Sequence, residues 1–269
     1  MIFQNNDVRR IEFNDNLFFR NESFSFDCPN LEYIKLPEKS RVINTTNGIN
    51  EKYWNMAETF YRNGVEHPKL ETVTTQNECL YASDLYQTFG NCPNLNSLPH
   101  FKVENSNGIR LQNCFYYVNG RNLDIKLDTN NQINAASNFI GPGATVANVY
   151  LNINEGGDLR DFMGYATITG ELVANLYGTC IVYNSFPAAN NVTIKISDSK
   201  FNMSTLLPYS DYNDLSKSFN IYGVRGSEAE SSLVNTSLFF LSNYDYENGV
   251  ATYQLNNNPN CLAHFEGST

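Results

Sequence analysis

Charge is scarce in this chain of 269 residues: Asp, Glu, Lys and Arg make up 17% of it, with a net charge of -10. Its 18 basic residues are scattered singly. Phosphate contacts require a clustered Lys/Arg face, and an acidic chain is repelled by anionic lipid, so neither nucleic acid nor a membrane surface is expected as a partner. Histidine is nearly absent, with His67, His100 and His264 alone. There is no His-Glu-x-x-His, no paired Cys-x-x-Cys, no phosphate loop ending in Lys-Ser/Thr and no Gly-x-Ser-x-Gly elbow. Gly141-Pro142-Gly143 reads as a corner. No catalytic residue, metal ligand or cofactor is expected. Apolar runs of about 18 residues are missing, as is the apolar stretch of about 7 to 15 residues that marks a secretion leader. The expectation is a protein made in a cytoplasm, with no membrane span.

Repetition is abundant instead. Asn122-Leu123-Asp124-Ile125-Lys126-Leu127, Asn148-Val149-Tyr150-Leu151-Asn152-Ile153 and Asn191-Val192-Thr193-Ile194-Lys195-Ile196 superimpose without a gap. A segment reused in this way is one rung of a stacked array. A second recurring piece is Cys28-Pro29-Asn30-Leu31, His67-Pro68-Lys69-Leu70 and Cys92-Pro93-Asn94-Leu95, each followed three positions later by Ile34, Val73 or Leu98. A third is Asn/Ser-Asp-Leu-x-x-Ser/Thr-Phe, at 83–89 and 213–219, with looser relatives at 56–60, 111–115, 135–139 and 159–163. An apolar pair four residues apart behind a capping Asp predicts a short helix pinned by one face. Each unit therefore reads as a helical turn, a corner and a strand. His67 stands where other units place Cys and reads as a partly buried corner residue.

The anchors Leu70, Leu95, Leu123 and Val149 lie 25, 28 and 26 residues apart, within or near the roughly 20 to 29 residue period of leucine-rich repeats. Two wider gaps, 39 residues from Leu31 to Leu70 and 43 from Val149 to Val192, leave room for an insertion or a degenerate unit. Six or seven rungs are expected. The order Leu85-Tyr86-Gln87-Thr88-Phe89-Gly90-Asn91-Cys92-Pro93-Asn94-Leu95-Asn96-Ser97-Leu98-Pro99 resembles the unit of BspA-type leucine-rich-repeat proteins, where an apolar-x3-Phe turn, a Cys and a Leu-x-x-Leu/Ile strand follow one another. The likeness covers about residues 27–225. It implies a mainly β fold with short helices, an α/β solenoid built as an irregular leucine-rich-repeat-like stack. Such repeats occur in bacterial and protist surface adhesins and in bacteriophage virion proteins.

The ends read as caps. Ile11, Phe13, Leu17, Phe19, Phe24 and Phe26 suit edge strands in an N-terminal β cap over 1–26. At the other end Asn248-Gly249 sits between two apolar-rich runs, a strong hairpin signal because both central residues of the favoured turn need positive φ. That predicts a C-terminal hairpin cap or docking element over 226–269, after a solenoid spanning 27–225. The whole is expected to be one elongated domain.

Other residue types fit the array. Asn supplies 41 residues. Either tight corners use it, since Asn tolerates left-handed backbone and bonds to neighbouring amides, or an AT-rich genome favours its codons. The six Cys (28, 79, 92, 114, 180 and 261) read as reduced structural thiols, with Cys28 and Cys92 at one repeat position. The sequons at Asn21, Asn44, Asn191, Asn202 and Asn235 imply no glycan in an unsecreted chain. The acidic pairs Asp158/Asp161 and Asp211/Asp214 read as caps, with sugar cleavage or calcium binding as the alternatives.

With apolar positions inward, Asp124/Tyr150/Thr193 and Lys126/Asn152/Lys195 should form two ladders on the outer face of the sheet. Tyr33 and Lys35 join them, with Leu31 one residue out of phase and therefore in a bulge. These eight side chains are the candidate binding residues. The functional expectation is a non-enzymatic structural and recognition protein of a bacteriophage virion: a tail fibre, baseplate or head appendage. It would assemble as a homo- or hetero-oligomer with other virion proteins and face a host surface protein or glycan. The alternatives are a bacterial or protist leucine-rich-repeat adhesin or interaction scaffold, cytoplasmic or at the cell surface, and a polysaccharide depolymerase.

Overall fold

The turns that recur along the chain set the architecture. In a computed structural model, residues 2–15, 17–18, 23–44, 48–61, 66–187, 189, 191–197 and 215–268 are described, with backbone alone for 43, 44, 48, 49 and 268. The segments 56–59, 85–88, 111–114, 136–139 and 159–162 are not helices. Each closes with one i→i+3 bond, such as the Thr88 amide donating to the Leu85 carbonyl at 3.3 Å or that of Phe139 to Ala136 at 3.0 Å. The third residue takes positive φ: Glu58, Gln87, Asn113, Asn138 and Asp161 lie between 51° and 55°. That left-handed residue ends any helix, and Asn and Asp tolerate it best. The turn's other amides are spent on the next turn, as Leu85, Gln87 and Phe89 donate to the carbonyls of Arg110, Gln112 and Cys114 at 3.1, 3.0 and 2.8 Å. A helix would have satisfied them internally, so the expected short helices give way to stacked β-turns.

Between the turns run strands β1 (Ile2–Gln4), β2 (Arg10–Glu12), β3 (Ser25–Asp27), β4 (Tyr33–Lys35), β5 (Ser40–Asn44), β6 (Gly48–Lys52), β7 (Trp54–Asn55) and β8 (Thr72–Thr74). Next come β9 (Cys79–Asp84), β10 (His100–Val103), β11 (Ile109–Arg110), β12 (Asn119–Thr129), β13 (Ile133–Ala135), β14 (Thr145–Ile153), β15 (Gly157–Asp158) and β16 (Thr167–Ile168). The chain continues through β17 (Glu171–Leu176), β18 (Cys180–Ile181), β19 (Asn191–Ile196), β20 (Phe219–Arg225), α1 (Glu228–Asn235), β21 (Phe239–Asp245), β22 (Val250–Leu255) and β23 (Asn258–Ser268). The fold is mainly β, a β-solenoid of about eight turns.

The main sheet runs β7-β9-β10-β12-β14-β17-β19-β20-β23, all parallel, and ends in two antiparallel strands, β22 on β23 and β21 on β22. Two smaller parallel sheets, β2-β4-β8 and β11-β13-β15-β18, form other sides of the coil. The N-terminal strands pair into the same stack, β1 on β3 and β2 on β4.

Both wide gaps in the anchor spacing find an explanation. The first holds an inserted antiparallel hairpin, β5-β6. The second holds a further rung, β17, whose Leu172, Ala174 and Leu176 point inward as fully as their neighbours. The expected C-terminal hairpin forms too, but over a four-residue loop. Asp245 Oδ1 accepts the amides of Glu247 and Asn248 at 2.9 and 3.2 Å, and only Gly249 takes positive φ, at 67°. The repeat 213–219 does not form a helical turn where it is described, since Phe219 opens a strand; 213 and 214 lie outside the described residues.

Inside, one continuous apolar core reaches from Phe24 to Phe265. Leu123, Ile125, Leu127, Val149, Leu151, Ile153, Val192, Ile194 and Ile196 are all buried in it, as expected. Its axis is a file of phenylalanines. Phe26, Phe60, Phe89, Phe115, Phe139, Phe162 and Phe186 follow one another at centroid distances of 4.9 to 6.2 Å, and the exposed Phe3 lies 6.0 Å from Phe26 at the end of the file. Adjacent strands lie about 4.8 Å apart, so a ring at the same place in each coil necessarily meets the next ring in stacking range. The rings stay nearly parallel from Phe26 to Phe115, at interplanar angles of 13°, 17° and 6°. From Phe139 the ring moves one position earlier in its turn, and the Phe115–Phe139 contact becomes edge-on at 80°.

One buried hydroxyl lies between apolar neighbours of the core with no polar group among the described residues to meet it. Thr129 is fully buried at the end of β12, beside Val103 and Ile153, and its Oγ1 has no hydrogen-bond partner among the described residues. Thr129→Val, which keeps the shape and removes the stranded hydroxyl, is expected to stabilise the protein by about 1 kcal/mol. Phe89→Ala should cost about 3 to 5 kcal/mol by opening a cavity in the ring file. Chemical denaturation of the two variants beside the parent checks both signs.

Candidate functional site

The outward positions of the main sheet form three rows across the strands. The first contains Asp124, Asn148, Glu171 and Asn191. The second contains Cys79, His100, Lys126, Tyr150, Val173, Thr193, Asn220 and Leu262. The third contains Tyr81, Lys102, Asp128, Asn152, Asn175, Lys195, Tyr222 and His264. The gapless alignment of the hexapeptides is thus off by two residues on β12. Asn148 stands opposite Asp124 rather than Asn122, so Lys126, not Asp124, shares a row with Tyr150 and Thr193, and Asp128 replaces Lys126 beside Asn152 and Lys195. A shift of two keeps every side chain on its own face, which is why inward and outward assignments survive the slip.

Tyr33 and Lys35 do not reach this face. They sit on β4 in the sheet β2-β4-β8, where the Arg10 guanidinium lies 3.6 Å from the Tyr33 ring centroid. Leu31 is not in a bulge but closes a turn, its amide donating to the Cys28 carbonyl at 2.9 Å. Leu70 and Leu95 close the same turn on His67 and Cys92, at 3.1 and 3.2 Å.

Amides tie the rows together. Asn175 Nδ2 donates to Asn152 Oδ1, and Asn152 Nδ2 to Asp128 Oδ1, both at 2.7 Å. Asp128 Oδ2 lies 3.1 Å from His100 Nε2. In the first row Asn148 Nδ2 donates to Asp124 Oδ1 at 2.8 Å. The Tyr150 hydroxyl donates to Glu171 Oε1 at 2.6 Å, and that bond, reinforced by burial, pushes its pKa up to about 12. The carboxylates of this face are therefore engaged as acceptors. By contrast Lys102, Lys126 and Lys195 have no ion-pair partner among the described residues; Lys102 and Lys126 lie 5.7 and 6.0 Å from the Tyr81 and Tyr150 rings.

Elsewhere the titratable groups serve the coil. Asp158 holds Arg160 in a two-pronged pair at 2.9 and 2.5 Å, which keeps its carboxyl below the usual range, and Asp161 is the left-handed turn residue accepting from Asn184 at 3.2 Å. Neither caps a helix. Asp211 and Asp214 lie outside the described residues. No disulfide forms among the described residues, and burial raises the thiols of Cys28, Cys92, Cys114 and Cys261. No cluster of three His, Cys, Asp or Glu able to hold a metal ion is found among the described residues.

The sequence reading missed Glu171, Val173 and Asn175 because their rung lacks a leading Asn, although its alternation of apolar residues was visible. Tyr222 and His264 were missed for want of a repeat signal, and they stack at 5.1 Å and 22°. Comparison with family models, with curated proteins and with solved structures returned no match.

His67 is not partly but wholly buried. The Cys28 amide donates to its Nε2 at 3.3 Å, and its Nδ1 lies 2.6 Å from the Phe60 carbonyl. An amide only donates and a carbonyl only accepts, so the ring is the neutral Nδ1–H tautomer. Burial lowers its pKa, the Phe60 carbonyl partly opposing the shift. The unfolded chain then takes up the proton first. The stability due to neutral His67 is present above the unfolded pKa of about 6.5 and is lost as pH falls below it. In His67→Gln, the proton uptake on unfolding between pH 7 and 5 should drop by up to one, measured from the pH dependence of denaturation midpoints.

Proposed function

We propose that this chain is a non-enzymatic recognition solenoid, a structural component of a bacteriophage particle. It would present the outer face of its main sheet to a host-surface partner and meet other virion proteins through its ends. One observation carries the recognition reading: Lys102, Lys126 and Lys195 stand on that face without acidic partners among the described residues, while the carboxylates around them are occupied by Asn, Tyr and His. A face whose acids are committed internally offers no carboxylate for proton transfer, but its cations remain free to meet a ligand. Solenoids use such extended surfaces for binding. The acidic, Asn-rich composition, the 17 Tyr and the 18 Phe support the virion reading.

Kinship with BspA-type leucine-rich-repeat proteins is the second reading. Its support is the return of the apolar-x3-Phe and Cys/His-Pro-x-Leu segments as turns stacked coil upon coil. An adhesin or scaffold of that kind would use the same face.

Antibody raised against the purified chain is expected to label particles of the phage whose genome encodes it. Lys102→Glu with Lys126→Glu should lower attachment of those particles to their host at least tenfold. Unlabelled particles would refute the virion assignment, and unchanged attachment would remove the face from recognition.

A further inference from the structure

At the C-terminal ends of β17, β19, β20 and β23 the outer face deepens into a trough of about 980 Å³, with the β21-β22 hairpin turn as its far wall. Its polar and aromatic lining comes from Tyr177, Lys195, Ser197, Tyr222, Asn248 and Glu266. We propose that this trough binds a neutral oligosaccharide, seated against the Tyr177 and Tyr222 rings. The inference deepens the recognition reading and rests on it.

The two tyrosines supply the first argument. Tyr177 is 47% and Tyr222 38% exposed, and both line the trough. Tyr222 is held from one side by the His264 ring, and His264 Nδ1 lies 3.2 Å from Thr252 Oγ1, which fixes the platform before any ligand arrives. A rigid ring with two side-chain torsions loses little entropy on binding, and the C–H face of a pyranose is the apolar surface that packs flat on it.

The groups around the rings supply the second. Lys195 donates and Glu266 accepts; Asn248 keeps one amide hydrogen and its carbonyl oxygen, its other hydrogen going to Asp245, and Ser197, whose hydroxyl donates to the Leu176 carbonyl, accepts. Sugar hydroxyls also donate and accept, so a ring of mixed partners suits them. The lining carries one cation and one carboxylate, Lys195 and Glu266, so its formal charge cancels. A phosphate or polyanion would meet the carboxylate along with the ammonium, and an aliphatic segment would strand the polar groups. A polyhydroxylated neutral ligand does neither. The volume falls at the upper end of the roughly 300 to 1,000 Å³ usual for small-molecule sites. The approach is continuous as well: the third row leads from Asn152 and Asn175 through Lys195 to Tyr222, one polar side chain per strand, about 4.8 Å apart.

The test uses the purified full-length chain and calorimetric titration with cellotetraose, maltotetraose, chitotetraose and, as the charged comparison, tetragalacturonate. At least one neutral tetrasaccharide should saturate the protein at a 1:1 ratio, and tetragalacturonate should bind at least tenfold more weakly. Tyr177→Ala and Tyr222→Ala should each weaken the neutral ligand at least tenfold, with thermal unfolding unchanged. Tyr81→Ala, at the opposite end of the third row, should leave it within twofold. Failure of all three neutral sugars to saturate, preference for the acidic one, or unaltered affinity in both trough variants overturns the proposal. None of these outcomes touches the Lys102→Glu/Lys126→Glu result, whose residues lie outside the trough, so the wider reading and the sugar site fail separately.

Discussion

Parallel stacking in register is the constraint from which the rest of the molecule follows. Once the amides of one coil are committed to the carbonyls of the next, every coil must place the same backbone at the same height. The Leu85, Gln87 and Phe89 amides bonded to Arg110, Gln112 and Cys114 show this within a single turn. Side chains then meet their own kind one strand spacing away. Phenylalanine meets phenylalanine through the core, and Asn meets Asp or Asn across the outer face. A periodic backbone turns a weak local preference into a long cooperative file, because each ring or amide is both guest and host.

This also explains the use of Asn. Some of it takes left-handed backbone, as at Asn91, Asn113, Asn138 and Asn184, where β-branched residues would be strained. Some of it bridges coils, as Asn30 does to the Asn6 carbonyl at 2.7 Å and Asn154 to Asn130 at 3.1 Å. Glycine is needed at fewer places. At Gly120, where the pairing of β12 with β14 shifts register before Asp124, a side chain would collide with the Leu95 carbonyl.

Much of the fold was legible because burial in a strand has a period of two. The alternation in 123–127, 149–153 and 192–196 named the inward residues correctly. Registry was less legible, since a slip of two changes no inward residue and only the backbone pairing of β12 with β14 distinguishes the choices. Turns were misread as helices because an i, i+4 apolar pair suits both, and the left-handed residue that separates them has no unique sequence mark. Helix α1 did carry a mark: Ser227 Oγ accepts the Glu230 amide at 3.3 Å while Glu230 Oε2 accepts that of Gly226 at 2.6 Å, a capping arrangement written as Ser-x-x-Glu. The face itself was half legible. Asp124, Lys126, Tyr150, Asn152, Thr193 and Lys195 lie on it, but Glu171, Asn175 and His100, which complete its contacts, came from strands without the repeat's signature.

The side-chain amides of the third row all point one way. Asn175 donates back to Asn152 and Asn152 back to Asp128, each toward the coil before it. Such a row has no need of any particular member in its middle. Excision of the whole coil that carries Asn152 would bring the Asn175 donor onto the Asp128 acceptor, and the chain of amides would heal, although Glu171 would then face Asp124 across the new seam. Loss of that complete coil is thus open to the gene at the cost of one like-charge encounter, its duplication would set Asn148 beside a second Asn148 with no such encounter, and loss of a fraction of the coil would break the row.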